Sequence, residues 1–489
     1  MKPRPKTWET IPEMVLSTAD RFGDAEAIVD GDLRITFAEL TDKVRTAAGA
    51  YVEAGIQKGD RVAIWAPNSA EWIIAAFGLL TAGGVLVPVN TRFKAAEAGD
   101  IIRRSQAKLL LVRKNFLGLD FDFNDGKKNI PVIDLTSDFL KSGTPTERTV
   151  QSNDVADIIY TSGTTGRPKG VMMAHAPTLR LYQEWNDLAR TRQGDRYLIA
   201  NPFFHIFGYK AGCIASMIRG MTILPVPVFD IDHITDLVER EKVTVLPGPP
   251  TVYQELIKAH KKGGRDLSSL RVAVTGAADI PVELIRQIKE ELPFTSIMTG
   301  YGLTEAGTIT ASRQTDSFED IATTVGTACQ GFEIKIAQDG ELLAKGYGVM
   351  KGYLDDPEAT RQAIDQDGWL HTGDLGAIDE AGRLKIIGRK KDMFIVGGFN
   401  AYPAEIEGFL LEHPAVHQVA VIGVPDDRLG QVGKAFIVRA KNGQDDITAE
   451  DLIMWAKTKM AGFKAPRYVE FLHVLPLNAT GKVMKDQLK

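Results

Sequence analysis

Ile158-Ile159-Tyr160-Thr161-Ser162-Gly163-Thr164-Thr165-Gly166-Arg167-Pro168-Lys169-Gly170-Val171 joins an apolar strand to a loop of glycines and hydroxyl residues. Its three glycines let backbone N–H groups converge, its four hydroxyls add donors, and Lys169 adds a cation. At a strand-to-loop corner such a set is a cradle for a polyphosphate. It is not a Walker A loop: counting from Gly163, the sixth position is Pro168 where glycine is required, and Lys169 is followed by Gly170 where a Mg²⁺-binding hydroxyl is required. A surface linker is a poor reading, because linkers rarely hang from a buried strand with a lysine at a fixed place.

Outward from this corner, helix and strand signals alternate, which means an α/β fold. Thr10 with Pro12 and Glu13 starts a helix expected to end near Gly23, and Thr36 with Glu39 starts another ending near Gly55. Strands are expected at Val62 to Trp65 and Leu109 to Val112. Trp72 to Val89 is long and apolar enough for a membrane span, but its punctuation argues otherwise. Asn68 and Glu71 suit a reciprocal N-cap, Gly83 and Gly84 a helix exit, and Val85 to Val89 a core strand. Lys141 to Asp154 reads as a polar connection. Late in the chain Gly388-Arg389-Lys390-Lys391-Asp392 precedes a fresh set of elements: a helix from Ala404, a strand at Val419 to Val424 and a helix near Glu450 to Met460. About 100 residues suffice for a small independent domain, so a linker is expected there.

The chain has 489 residues, enough for about three folding units, and its composition is that of a globular protein. A formal net charge of −5 argues against a nucleic-acid binder held by phosphate contacts. Cys213 and Cys329 are too few for a disulfide framework or a four-thiolate zinc site. Met1 to Thr7 has no apolar core of a signal peptide, so a cytoplasmic protein without a transmembrane segment is expected.

The run Tyr160 to Val171 resembles the signature of the adenylate-forming superfamily of acyl-CoA synthetases, peptide-synthetase adenylation domains and luciferases. Seven more matches follow in the family's order: Asn201-Pro-Phe-Phe-His205, Thr275-Gly-Ala-Ala278, Gly300-Tyr-Gly-Leu-Thr-Glu305, Trp369-Leu-His-Thr-Gly-Asp374, Gly388-Arg-Lys-Lys-Asp392, Gly397-Gly-Phe-Asn400 with Tyr402-Pro-Ala-Glu-Ile-Glu407, and Pro476-Leu-Asn-Ala-Thr-Gly-Lys482. The resemblance implies a large multi-layer amino-terminal domain of sheets and helices with a small β subdomain, residues 1–388. A hinge at 389–391 and a small mobile α+β carboxy-terminal domain at 392–489 complete it.

It also implies roles. Thr161, Ser162, Gly163, Thr164, Thr165, Gly166 and Lys169 would cradle ATP phosphates. Thr304 would bond a phosphate and Glu305 would hold Mg²⁺, a hard cation that prefers oxygen ligands. Asp374, acceptor-only when ionised, suits the ribose hydroxyls, with Arg389 contributing from the boundary; a turn-forming aspartate is the bland alternative. Tyr301 with Gly276, Ala277, Ala278, Gly300 and Gly302 is similar to the adenine platform. Lys482 would neutralise charge as a carboxylate attacks the α-phosphate. Lys391 matches the family hinge, about which Lys482 leaves and Gly397, Gly398 and Phe399 arrive to line the path of the CoA pantetheine arm. His205 stands where amino-acid-activating relatives place an aspartate for an ammonium group, so an amino-acid substrate is disfavoured and a gating role at the acyl entrance is implied.

The expected activity is therefore an ATP-dependent, AMP-forming acid:CoA ligase using ATP, Mg²⁺ and CoA; the alternative is a stand-alone adenylation protein that loads an acyl carrier protein. Residues 201–212, with 245–250 and 274–278, most resemble a branch of actinobacterial ligases acting on the indanedione propanoate of steroid degradation. Phe204, Gly208, Tyr209 and Lys210 would then line the acid pocket, with the small residues Gly208, Gly276, Ala277 and Ala278 leaving width for fused rings and Lys210 or Tyr209 bonding a ring ketone, although a lysine in such a place more often points to solvent or to a carboxylate; a fatty acid is the rival substrate. A homodimer is admitted, and a lysine acetyltransferase acting on Lys482 would remove the charge that activation needs.

Overall fold

The computed structural model describes residues 8–116, 130–161, 168–276, 282–440, 447–477 and 483–488. Among these residues two large sheets form the body of the chain. One runs in the spatial order Gly352–Tyr353, Lys169–Ala174, Val155–Thr161, Val85–Pro88, Arg61–Trp65, Leu109–Val112, Val132–Asp134. The other carries Gly307–Ala311, Ser296–Leu303, Val272–Thr275, Val245–Pro247, Arg196–Ile199, Thr222–Pro225 and Glu26–Asp30 as successive neighbours. Most neighbours at the centre of both are parallel, and such strands are buried on both faces. Leu109–Val112 is buried throughout, as its run of apolar residues demands.

Local sequence explains the helices that pack on these sheets. Thr36 and Glu39 form a capping box for Phe37–Glu53, an arrangement worth about 1 kcal/mol. The expected helix from Thr10 to Gly23 is two helices, Ile11–Leu16 and Thr18–Phe22, separated at Ser17, whose hydroxyl donates to Met14 O at 2.8 Å. Trp72 to Val89 divides as expected into a helix, Ala70–Thr81, and a strand, Val85–Pro88. The cap, however, is Ser69, whose hydroxyl accepts from Trp72 N, while Asp30 accepts from Ala70 N at 2.8 Å. Asn68 serves a different segment. No helix among the described residues is long and apolar enough to cross a membrane.

A four-stranded sheet, Phe332–Ile336, Glu341–Gly346, Leu370–Ile378, Leu384–Arg389, follows the large ones. Its last strand runs through Arg389. Lys390 is still tied to this sheet: its N–H donates to Gly373 O at 3.0 Å, and its ammonium lies 2.7 Å from Asp339 and 3.0 Å from Glu341. Lys391 is exposed, and a new sheet begins at Phe394. That sheet combines Phe394–Val396, Phe399–Ala401, Val416–Asp426, Gly430–Arg439 and Tyr468–Leu472. With helices Pro403–Leu411 and Ala449–Lys459 it encloses a separate core that includes Phe394, Ile406, Leu410, Val421, Ile437 and Leu452.

Candidate active site

Cross-strand register assembles the first part of the site. Asp374 and Arg389 are direct partners on neighbouring antiparallel strands, and Arg389 Nε lies 2.6 Å from Asp374 Oδ1. The other carboxylate oxygen accepts from the Tyr301 hydroxyl at 2.5 Å. Burial, reinforced by the Asp374 charge, raises Tyr301 well above the ordinary phenol value, so it stays a donor. Asp374 is 4% exposed, and its position follows from Thr372, whose hydroxyl accepts the Asp374 N–H. Gly300 and Gly302 share the strand of Tyr301, and Gly276 ends the parallel neighbour Val272–Thr275. Of the residues expected at base and ribose, Tyr301, Asp374 and Arg389 are joined directly, with Gly276, Gly300 and Gly302 on the adjoining strand ends.

The second part centres on Glu305. Its carboxylate accepts from the Tyr353 hydroxyl at 3.0 Å, and Lys169 Nζ lies 5.1 Å from the centre of the Tyr353 ring. Burial pushes the Glu305 carboxyl up, while its own N–H, Tyr353, Arg389 and Lys169 pull it down. This half-buried carboxylate, with Thr304 buried beside it, has the oxygen chemistry that a hard divalent cation prefers. No group of three or more His, Cys, Asp or Glu side chains able to hold a metal occurs among the described residues. Tyr353 was missed in the sequence. Its one signal is that strand Gly352–Tyr353 pairs with Lys169–Ala174, a relation of pairing and not of chain distance.

The segment expected at the acid is organised by Asn68. Its amide donates to Asn201 O at 2.9 Å and Ile199 O at 3.1 Å, and its carbonyl accepts from Phe203 N at 2.8 Å. These bonds fasten the turn that carries Phe204 and His205. His205 is half-buried, accepts Phe207 N–H through Nδ1 at 3.2 Å, and is pushed down to about 4 by desolvation, so the ring is neutral at neutral pH. Two expectations are corrected here. Gly208 does not widen a pocket: a Cβ there would stand 2.2 Å from Pro202 O, so glycine is required for chain approach. Lys210 does not face the acid. It is 2% exposed, on the π-helical turn Tyr209–Ile214, and its ammonium lies 2.8 Å from buried Asp157 on the strand leading to the phosphate loop. Burial favours a partnered charge, and that partner is Asp157. Tyr209 is fully buried against Trp72, with ring centres 5.7 Å apart, and its hydroxyl has no hydrogen-bond partner among the described residues.

Gly397, Gly398 and Phe399 form an exposed hairpin in the small unit, and among the described residues no hydrogen bond joins them to the groups above. Ser162, Gly163, Thr164, Thr165, Gly166, Ala277, Ala278 and Lys482 lie outside the described residues.

Two family models match: AMP-binding enzyme over residues 16–354 and AMP-binding enzyme C-terminal domain over residues 405–482. The chain is 44% identical over 507 residues, 98% of each chain, to the 3-[(3aS,4S,7aS)-7a-methyl-1,5-dioxo-octahydro-1H-inden-4-yl]propanoyl:CoA ligase of Rhodococcus jostii. It is 45% identical over 501 residues, again 98% of each chain, to the ligase of the same name from Mycobacterium tuberculosis. ATP-bound MatB from Rhodopseudomonas palustris superposes with a TM-score of 0.88 at 29% identity, covering 97% of both chains.

Proposed function

The chain belongs to the AMP-binding enzyme family and is an ATP-dependent, AMP-forming acyl-CoA ligase, and we propose that its acid is a bulky alicyclic propanoate bearing a ring ketone, of steroid origin. ATP, Mg²⁺ and CoA are its cofactors. In the first half-reaction a carboxylate oxygen of the acid attacks the α-phosphorus, the bond to pyrophosphate breaks, and acyl-AMP forms. In the second, the CoA sulfur attacks the acyl carbon, the bond to the AMP phosphate breaks, and the thiol proton passes to solvent.

Each group has a part in this scheme. Asp374 accepts from the ribose while Arg389 and Tyr301 hold it; Thr304 and Lys169 bind phosphate oxygens. Glu305 is the residue that would hold Mg²⁺, which when bound neutralises phosphate charge. Lys482 stabilises charge in the activation step. We place the pivot at Lys391, supported by the ties that keep Lys390 on the preceding sheet. Residues 1–388 then form the large domain and 392–489 the small mobile one.

The observation that carries the substrate is the likeness to the two indanedione-propanoate ligases across 98% of each chain. The experiment is pyrophosphate release across a panel of carboxylic acids, with CoA, with a carrier protein, and with neither. Thioester formed on CoA from the alicyclic acid supports the reading; thioester formed only on a carrier protein overturns it. A cytoplasmic location, a homodimer and acetylation of Lys482 belong to the same proposal. Fractionation, light scattering and mass spectrometry after incubation with an acetyltransferase test them in turn.

A further inference from the structure

Phe399 is 61% exposed, so burial does little to fix its ring. The hairpin that carries it is equally lean: Phe394–Val396 pairs with Phe399–Ala401 over three residues, around a turn in which Gly397 and Gly398 have φ of 57° and 91°. One ring contact stands against this looseness. The Phe463 ring is stacked on Phe399 with centroids 5.0 Å apart and planes inclined by 25°.

The Phe463 side of that contact is anchored. Phe463 packs against the core of the small unit, and its turn is closed by Lys464 and Ala465 N–H groups donating to Ala461 O at 2.8 and 3.2 Å. Lys464 Nζ lies 2.5 Å from Glu405 on helix Pro403–Leu411. A ring packed on the core is thus laid against an exposed one, 64 positions apart in the numbering and within one folding unit.

We infer that Phe463 is a positioning residue for the thioester half-reaction: by stacking on Phe399 it keeps the Gly397-Gly398-Phe399 hairpin in shape as the small domain turns, so that the hairpin meets the CoA pantetheine arm already formed. The inference rests on the proposed role of that hairpin. Activation of the acid does not use the hairpin and therefore does not use Phe463. The effect belongs in KM for CoA, because a pre-shaped wall reduces the ordering that binding must otherwise impose.

The test uses the full chain and three variants, with pyrophosphate exchange for acid activation and CoA attack on supplied acyl-AMP for the second step. Phe463→Leu keeps apolar volume and removes the ring. It is expected to leave exchange within about twofold of wild type and to lower kcat/KM for CoA by about tenfold, through KM, the scale of one aromatic pair. Phe463→Tyr restores a ring and is expected to restore KM. An unchanged KM for CoA in Phe463→Leu, or equal losses in both half-reactions, overturns the inference. Phe399→Ala separates the two levels: if it impairs the CoA step while Phe463→Leu does not, only the role of Phe463 falls, and if it leaves the CoA step intact, the hairpin reading falls with it.

Discussion

Arg389 Nε lies 2.6 Å from Asp374 Oδ1, and the two residues face each other across adjacent antiparallel strands. The carboxylate proposed for the ribose is therefore held by the residue that ends the last strand before the pivot. Lys390, one position on, is pinned to Asp339 and Glu341, and Glu341 also accepts the N–H of Gly373 at 2.9 Å. The proposed ribose carboxylate and the residue before the proposed pivot are thus tied to the same sheet.

Asp374→Asn keeps the shape of this frame and removes its charge. Hydrogen bonds to a charged group contribute about 1.5–3 kcal/mol, so KM for ATP is expected to rise about 10- to 100-fold in exchange assays. Arg389, half-exposed, is left next to solvent, and folding is expected to survive. A KM for ATP equal to wild type contradicts the assignment.

Tyr353→Phe removes the donor that pulls the Glu305 carboxyl down against burial. The Glu305 value should then rise further, and the acid limb of the kcat profile for acid activation should move to higher pH, because Mg²⁺ binding needs the ionised form. At neutral pH the loss is expected to be about tenfold, the size of one such bond. An acid limb that stays in place rejects the role given to Tyr353.

Half-reactions separate Lys482 from Lys391. Lys482→Ala should slow acid activation by about 10²–10³ and spare thioester formation from supplied acyl-AMP. Lys391→Pro fixes φ and removes a donor, so acyl-AMP should form and accumulate without passing to CoA. Equal loss of both steps in folded Lys482→Ala, or wild-type CoA transfer in Lys391→Pro, counts against two domain arrangements.

His175 gives the fold a built-in acid sensitivity. The ring is 1% exposed, accepts Ile11 N–H at 3.3 Å, and is pushed down to about 4 by burial; Asp154 opposes the shift, and Lys210 and Lys58 add to it. An unfolded histidine titrates near pH 6.5, so from there down to about 4 the unfolded chain binds a proton the folded chain refuses. Stability is complete above that window and falls through it, by about 3 kcal/mol from this group. His175→Gln should be less stable at pH 7.5 yet flatter between pH 6.5 and 4 in denaturant titrations. A slope equal to wild type denies the linkage.

What could be read in the sequence was whatever depends on near neighbours. The capping box at Thr36 and Glu39, the strand Leu109–Val112, and the division of Trp72 to Val89 are local in cause, and the structure has them. The cap of the helix Ala70–Thr81 was misassigned because Asn68 and Ser69 are chemically equivalent candidates. Only the distant carbonyls of Ile199 and Asn201 decide that Asn68 faces away. Tyr353 was invisible for the same reason: its bond to Glu305 spans 48 positions and needs the pairing of two strands. For Lys210 the chain position left a ring ketone and a carboxylate as partners, and the π-helical turn delivers it to the carboxylate of Asp157.

The measurement that bears most directly on the central claim is competition for CoA thioester formation between an alicyclic keto-propanoate and octanoate. The account predicts a kcat/KM for the keto-propanoate at least about tenfold higher, about 1.4 kcal/mol of transition-state binding. A tenfold preference for octanoate by the wild type would contradict the substrate while leaving the ligase chemistry in place, and no thioester from either acid would contradict both.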